Sequence, residues 1–335
     1  MKTTRPYVSI KKSGCLEKLM LDLSEHMELF GSFEQVAGIM LDGGMSRGYA
    51  DELSEIDVVI FVHENAFKNY QEKQTPCALG ITKIDGQLYD IKLLNYEEEL
   101  SKEYEGVALW DLSYAKIMYD PAGELQHLFT EKLKQKTDVD TAGGFLFGAW
   151  WSYRLAGDIW IRREDALQGH YCLNNAIEPL ISALFIANKE YVPHEKWLIH
   201  ISKTLQWTPD NYEELLKKIF DTGDMSVASL KRRQAAIDNL WHQIDQKLCR
   251  EIGLNNGLNL MHKGAYENLQ KIVDKGSVSL EEWKTFSSIA DLNSEPLFSI
   301  CHIEGENVIV DREKMQSLGD KDMYDWFLKV VQKCK

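Results

Sequence analysis

Five short apolar runs lie between Val36 and Tyr119, each bounded by turn-forming residues, and beyond Gly144 long stretches of helical period replace them. Runs of five to eight residues have the length of strands, whereas a 3.6-residue period kept over several turns marks an amphipathic helix. The chain is therefore expected to be α+β, with a mixed sheet and flanking helices over 1–135 and a mainly helical domain over 136–335 that carries a small terminal hairpin. At 335 residues, two domains are also what the scaling of surface with volume favours.

The runs are Val36–Leu41, Asp57–Val62, Cys77–Ile84, Gln87–Leu94 and Ala115–Tyr119. Asp85-Gly86 between the third and fourth is a strong two-residue hairpin signal. Ahead of them, after a cap at Ser13, Leu16, Leu19, Met20, Leu23, Met27 and Phe30 recur at helical spacing until Gly31. In the second half, Leu230, Ile237, Trp241, Ile244 and Leu248 share a helical face that ends near Gly253, and Thr208-Pro209 reads as a cap followed by proline at the first helical position. Ser299–Ile303 and Asn307–Val310 flank Glu304-Gly305-Glu306 as the hairpin, and a last helix is expected after Asp311. Trp150, Trp151, Tyr153 and Trp160 are expected in the core or at the domain interface, lining a substrate cleft being the alternative for one or two of them.

Charge narrows the partners. With 38 basic and 52 acidic residues the net charge is −14, which repels nucleic acid and anionic membranes and favours cationic or neutral ligands. The six cysteines are scattered without a C-x-x-C pair and the nine histidines fall in no tight metal spacing, so a zinc site and a disulfide framework are not expected. No apolar stretch approaches the ~18 residues of a membrane span, and the polar Met1–Lys12 lacks a signal-peptide core. A soluble, cytoplasmic protein follows as the expectation.

The chemistry concentrates in Gly43-Gly44-Met45-Ser46-Arg47-Gly48, which leads through Ser54-Glu55-Ile56-Asp57 into Val58-Val59-Ile60-Phe61. Side chains alternate along a strand, so Glu55 and Asp57 face the same way and Ile56 faces the core. Asp90 stands alone in the apolar run Leu88–Leu93, where a carboxylate is costly unless paired or bound to metal. Three such oxygen donors suit magnesium, which usually keeps substrate phosphates among its ligands. A turn of small residues lets backbone N–H groups approach phosphate; Gly43 and Gly44 supply that approach, Ser46 adds a hydroxyl and Arg47 a guanidinium clamp, with a surface salt bridge as the alternative for Arg47. Lys196 is a further candidate for nucleotide phosphate, with a solvated helix lysine as the alternative.

These residues resemble the nucleotidyltransferase superfamily that includes antibiotic adenylyltransferases. Gly-Gly-Met-Ser-Arg-Gly-Tyr-Ala followed by Ser-Glu-Ile-Asp is similar to that family's Gly-Ser-x-Ala-Arg-Gly-x-Ala followed by Ser-Asp-x-Asp. The resemblance implies a nucleotidyltransferase-type sheet, with Gly43 and Gly44 as the phosphate turn, Glu55 and Asp57 as the metal pair, and Asp90 as the third acid. Two positions depart from the pattern. Gly44 stands where the family has serine, which removes a hydroxyl, and Glu55 stands for aspartate, which moves the carboxylate by about one C–C bond, ~1.5 Å. Tyr191-Val192-Pro193-His194-Glu195-Lys196-Trp197-Leu198 is similar to a segment of uncharacterised bacterial members. The function implied is magnesium-dependent transfer of a nucleoside monophosphate, AMP from ATP, to a hydroxyl of a small cationic acceptor such as an aminoglycoside. Asp90 is the first candidate for general base and Glu178 a second, with a carboxylate at a helix break caused by Pro179 as the plainer reading of Glu178. The helical domain is expected to close a cleft over the acceptor.

Three other readings compete. A non-catalytic nucleotide-binding module fits the two departures, and a protein hydroxyl is an alternative acceptor. Gly44-Met45-Ser46-Arg47-Gly48 also matches the G-x-S-x-G elbow of α/β-hydrolases, with Ser46 as nucleophile. That elbow needs a full helix directly after it, yet eight residues separate Gly48 from the strand beginning at Asp57. A P-loop and a dinucleotide fingerprint are absent.

Overall fold

The structure, a computed structural model, describes residues 5–10, 14–134, 137–254, 259–273 and 275–317. The expected cap at Ser13, the boundary between 135 and 136, and Cys334 lie outside the described residues. Two compact units are present, one of Met1–Thr137 with Asn188–Thr208 and one of Asp138–Ala187 with Pro209–Lys335.

In the first unit α1 (Leu16–Gly31) buries Leu19, Leu23 and Phe30 on one stripe. It covers one face of a five-stranded sheet built from β1 (Val36–Leu41), β2 (Ile56–Val62), β3 (Gly80–Ile84), β4 (Gln87–Asn95) and β5 (Lys116–Tyr119), in the order β3-β4-β2-β1-β5. β2 and β4 run parallel; the other neighbours are antiparallel. The alternation of β2 divides its side chains between two cores. Ile56, Val58, Ile60 and Val62 join the α1 side, and Val59 and Phe61 join Leu112, Leu125 and Leu128 on the other. Covering both faces explains why this strand reads as a continuous apolar run. Asp85 and Gly86 both take positive φ, 49° and 86°, as the expected hairpin turn between β3 and β4 requires.

The segment Asn188–Thr208 falls within the stretch expected to be the helical domain, yet it clusters with the first unit. Side-chain contacts account for this: Arg5 pairs with Glu190 at 3.0 Å, the Tyr7 N–H donates to Thr204 Oγ1 at 2.9 Å, and Trp197 meets the ring of Tyr49 edge-on at 6.1 Å.

The second unit is mainly helical. Its longest helix, Val227–Glu251, buries Leu230, Ile237, Trp241, Ile244 and Leu248, and the Trp241 indole N–H donates to the Leu146 carbonyl at 2.8 Å. One local expectation needs correction and another holds. The helix expected to open at Thr208-Pro209 begins instead at Tyr212, after Asn211 in a left-handed conformation, because the Asp210 N–H is drawn to Gln243 Oε1 at 2.6 Å. Pro179 lies in the first turn of Ile177–Ala187, four residues after Asn175, the last residue of the helix Ala166–Asn175; without an N–H it cannot donate to the Asn175 carbonyl, and the helix breaks at Ala176 as expected. The terminal hairpin of β7 (Cys301–Glu304) and β8 (Asn307–Val310) gains a third strand, β6 (Ser277–Ser279), on β8. Trp150 and Tyr153 are buried, whereas Trp151 is 53% exposed. Trp151–Ala156 is a π-helical segment continuing Val139–Trp150. Among the described residues no helix is long and apolar enough to cross a membrane.

Candidate active site

The parallel register sets Asp57 directly beside Asp90, with Ile56 opposite Tyr89. Tyr89 and Ile91 belong to the α1-side core, so alternation turns Asp90, like Asp57, to the opposite face. Glu55 lies one residue before β2. Two more carboxylates join them from elements that the sequence motif did not include. Asp42 follows the last residue of β1, and its N–H donates to the Asp57 carbonyl at 2.9 Å. Asp111 comes from the helix Val107–Tyr114. Asp111 was recoverable by the signal that singled out Asp90, a lone carboxylate in an apolar run, here Val107-Ala108-Leu109-Trp110-Asp111-Leu112.

The electrostatics of this face are unbalanced. Burial, reinforced by Glu55 and Asp42 and by a smaller contribution from Asp90, pushes the Asp57 carboxyl up to about 6, with Lys92 opposing. Asp111 is also raised by burial and by Asp42, against Arg47, Lys92 and His194. One oxygen of Asp42 is buried without a hydrogen-bond partner, the nearest cation being Arg47 at 3.9 Å.

Gly43 closes the turn. Its φ is +67°, and a Cβ there would stand 1.7 Å from Asp57 Oδ2, so only glycine leaves the carboxylate its place. Gly43–Ser46 forms a single helical turn, α2, in which the Gly44 carbonyl accepts from the Arg47 and Tyr49 N–H groups at 3.1 and 3.0 Å. Ser46 is buried, and its hydroxyl donates to the Gly43 carbonyl at 2.9 Å. The loop then leads into β2, antiparallel to β1. A nucleophile elbow would place a packed helix and a parallel strand there, so this geometry removes the hydrolase reading.

Arg47 forms a salt bridge, the alternative to a phosphate clamp, but inside the site and not on the surface. Its guanidinium, 4% exposed, is ion-paired to Asp111 and lies 4.0 Å above the Trp110 ring. In this arrangement it holds Asp111 and partly offsets Asp42, and a phosphate would have to compete with both carboxylates. Lys196 is exposed in the first turn of Glu195–Ser202, next to the Trp197 that touches Tyr49. Glu178 belongs to the second unit, exposed in the first turn of Ile177–Ala187, where its charge suits the helix N-terminus.

Among the described residues no three carboxylate, imidazole or thiol groups form a ready metal cage. Magnesium does not require one, because it commonly takes one or two carboxylates and fills its octahedron with water and phosphate oxygens. The donor set fits on three observations: the register-paired Asp57 and Asp90, the unpartnered oxygen of Asp42, and the turn at Gly43 that a Cβ would fill.

No protein-family model matches the sequence, and no curated protein matches it. Among solved structures the chain is similar to a nucleotidyltransferase-like protein from Exiguobacterium sibiricum 255-15, with 8% sequence identity and a TM-score of 0.37, over 71% of this chain and 78% of that one. No residue role is carried across at that distance.

Proposed function

We propose that the first unit is a magnesium-dependent nucleotidyltransferase that moves AMP from ATP to a hydroxyl of a small cationic acceptor, an aminoglycoside being one such molecule. The observation that supports this best is the pairing of Asp57 with Asp90 across parallel strands, beside a turn whose glycine leaves room for the carboxylate. Asp57, Asp90 and Glu55 would hold the metal, which supplies charge neutralisation at the phosphates when bound. Gly43 and Gly44 let the backbone approach the phosphate chain, and Lys196 is available to its outer oxygens. The acceptor oxygen attacks the α-phosphorus, the bond from that phosphorus to the bridging oxygen breaks, pyrophosphate leaves, and Asp90 accepts the hydroxyl proton. The net charge of −14 would draw an amine-bearing acceptor towards the protein, over a range that screening limits to ~8 Å at physiological ionic strength.

A screen of hydroxylated small molecules with labelled ATP tests the reading. Label is expected in cationic acceptors, with a Michaelis constant that rises with salt, and pyrophosphate is expected in equal amount. Label in nucleic acid, or equal use of a neutral compound at every salt concentration, would remove the charge argument. Label in a macromolecular protein would shift the acceptor to a protein hydroxyl. A second reading, nucleotide binding without transfer, is favoured by the absent hydroxyl at Gly44 and the longer side chain of Glu55. It predicts saturable ATP binding with no pyrophosphate.

Ser46→Ala separates this chemistry from serine hydrolysis. Removing the buried hydroxyl loses one hydrogen bond to Gly43, about 1 kcal/mol of stability, and measurable transfer should persist. Complete inactivity in a folded Ser46→Ala protein would count against the assignment.

A further inference from the structure

The second unit contains a cavity of about 690 Å³, lined chiefly by apolar side chains that include Phe147, Trp150, Trp151 and Leu155, with His262 and Glu295 as its ionisable groups. That volume lies in the range of small-molecule sites. We infer that this cavity binds an organic cation of small-molecule size, its charge held by the aromatic faces and the Glu295 carboxylate. The inference goes beyond the transfer reaction and does not depend on it.

Three observations carry it. Phe147 and Trp150 are stacked with centroids 6.3 Å apart, and Trp151 adds a third ring 6.1 Å from Phe147. Phe147 and Trp151 are nevertheless 49% and 53% exposed, so aromatic surface is presented at the mouth of a cavity instead of being sealed in a core. Such faces attract cations electrostatically. Elsewhere the chain supplies its own cations to its rings, Arg5 over Tyr114, Arg47 over Trp110 and Lys271 over Phe286. Among the described residues no lysine or arginine lies over Phe147, Trp150 or Trp151.

The lining has a negative balance. Glu295 is exposed and accepts only a hydroxyl, from Ser299 at 2.7 Å, without a basic partner among the described residues. Burial lowers the His262 imidazole to about 4, so it is neutral at physiological pH. An adjoining cavity shares Phe147 and Met261 and contains Lys263, but Asp140 and Glu267 neutralise that ammonium at 2.6 and 3.6 Å.

The backbone gives the third observation. Trp151–Ala156 is π-helical, and this segment contributes Trp151 and Leu155 to the cavity wall. A π-helical turn is rare and recurs mostly at functional sites, because its wider turn re-aims side chains that a regular helix would place elsewhere. The buried indole N–H of Trp150 also lacks an acceptor.

Calorimetric titration of the full chain without nucleotide tests the site, using benzyltrimethylammonium, choline, and 3,3-dimethylbutan-1-ol, the uncharged carbon analogue of choline. Benzyltrimethylammonium should bind saturably, and choline should bind about tenfold more tightly than its uncharged analogue. Trp151→Ala, at an exposed position that leaves the core intact, should weaken the cations about tenfold, and Glu295→Gln should weaken them while flattening the salt dependence. Equal affinity for choline and its uncharged analogue would show an apolar site without charge selection and overturn the inference. So would the absence of binding by all three probes, or cation affinity unchanged in a Trp151→Ala protein of wild-type melting temperature.

Discussion

Replacing Asp57 with asparagine is expected to abolish magnesium-dependent nucleotide binding and transfer while making the metal-free protein more stable at neutral pH. The two effects share one cause. Asp57 sits half-buried among Glu55, Asp42 and Asp90, with its carboxyl raised from 3.8 to about 6. Between those two values the folded chain holds a proton that the unfolded chain has released, so this group's contribution to stability falls as pH rises through the window. Above about pH 6 the whole penalty is in place. Asparagine keeps the volume and removes the charge, which should return about 1–3 kcal/mol, the upper figure being the full rise converted at about 1.36 kcal/mol per pH unit. The melting temperature of Asp57→Asn should thus exceed that of wild type at pH 7 without divalent ions, and the gap should close near pH 4. Magnesium with a nucleotide should raise the wild-type melting temperature and leave the variant unmoved. Unchanged magnesium-ATP affinity together with unchanged turnover would reject the site.

Gly43→Ala should cost about 2–5 kcal/mol of stability and most of the activity. An alanine at φ +67° carries a left-handed penalty of about 1–2 kcal/mol. Its methyl would also lie 1.7 Å from Asp57 Oδ2 and 2.3 Å from Asp57 Cγ, an overlap relieved only by moving the carboxylate or the turn, for about 1–3 kcal/mol more. Gly48 is the internal comparison, since it has φ +80° and open space, with no atom within 4 Å of the point a methyl would occupy. Gly48→Ala should show the backbone penalty alone. Thermal melts of the two variants in parallel measure the difference, and a Gly43→Ala protein with wild-type melting temperature and activity would show that Asp57 is not held against the turn.

The sheet was legible because its strands are bounded by turn chemistry and their faces are sorted by alternation. Val36–Leu41 is β1 to the residue, and Asp85-Gly86 makes the turn its composition implies. What the sequence could not supply was register. Alternation places Glu55 and Asp57 on one face, but only the pairing of β2 with β4 brings Asp90 level with Asp57. Arg47 illustrates the same limit, because its position in a glycine turn suggests phosphate and gives no sign of Trp110 and Asp111 more than sixty residues on. The helix expected at Thr208-Pro209 fails for a related reason, since a local cap signal is overridden by the long-range bond from Asp210 to Gln243. Residues 188–208 carry a helical period like that of the second unit, so periodicity alone cannot tell that Glu190, Trp197 and Thr204 face the first.

The parallel pairing of β2 with β4 also bears on how the fold is reached. The hairpin from β3 to β4 closes through a two-residue turn and can form early, whereas docking β4 on β2 closes a loop spanning the helix Glu64–Tyr70 and β3 and belongs to the slower, non-local events. That docking step is the one that brings the carboxylates of Asp57 and Asp90 together. β4 brings two charges to Asp57, the carboxylate of Asp90 and the Lys92 side chain, and the attraction of Lys92 is the larger of the two. Closing the sheet therefore adds the third carboxylate together with its own counter-charge, one acidic and one basic residue two positions apart on the same strand, and leaves the net charge of that face unchanged.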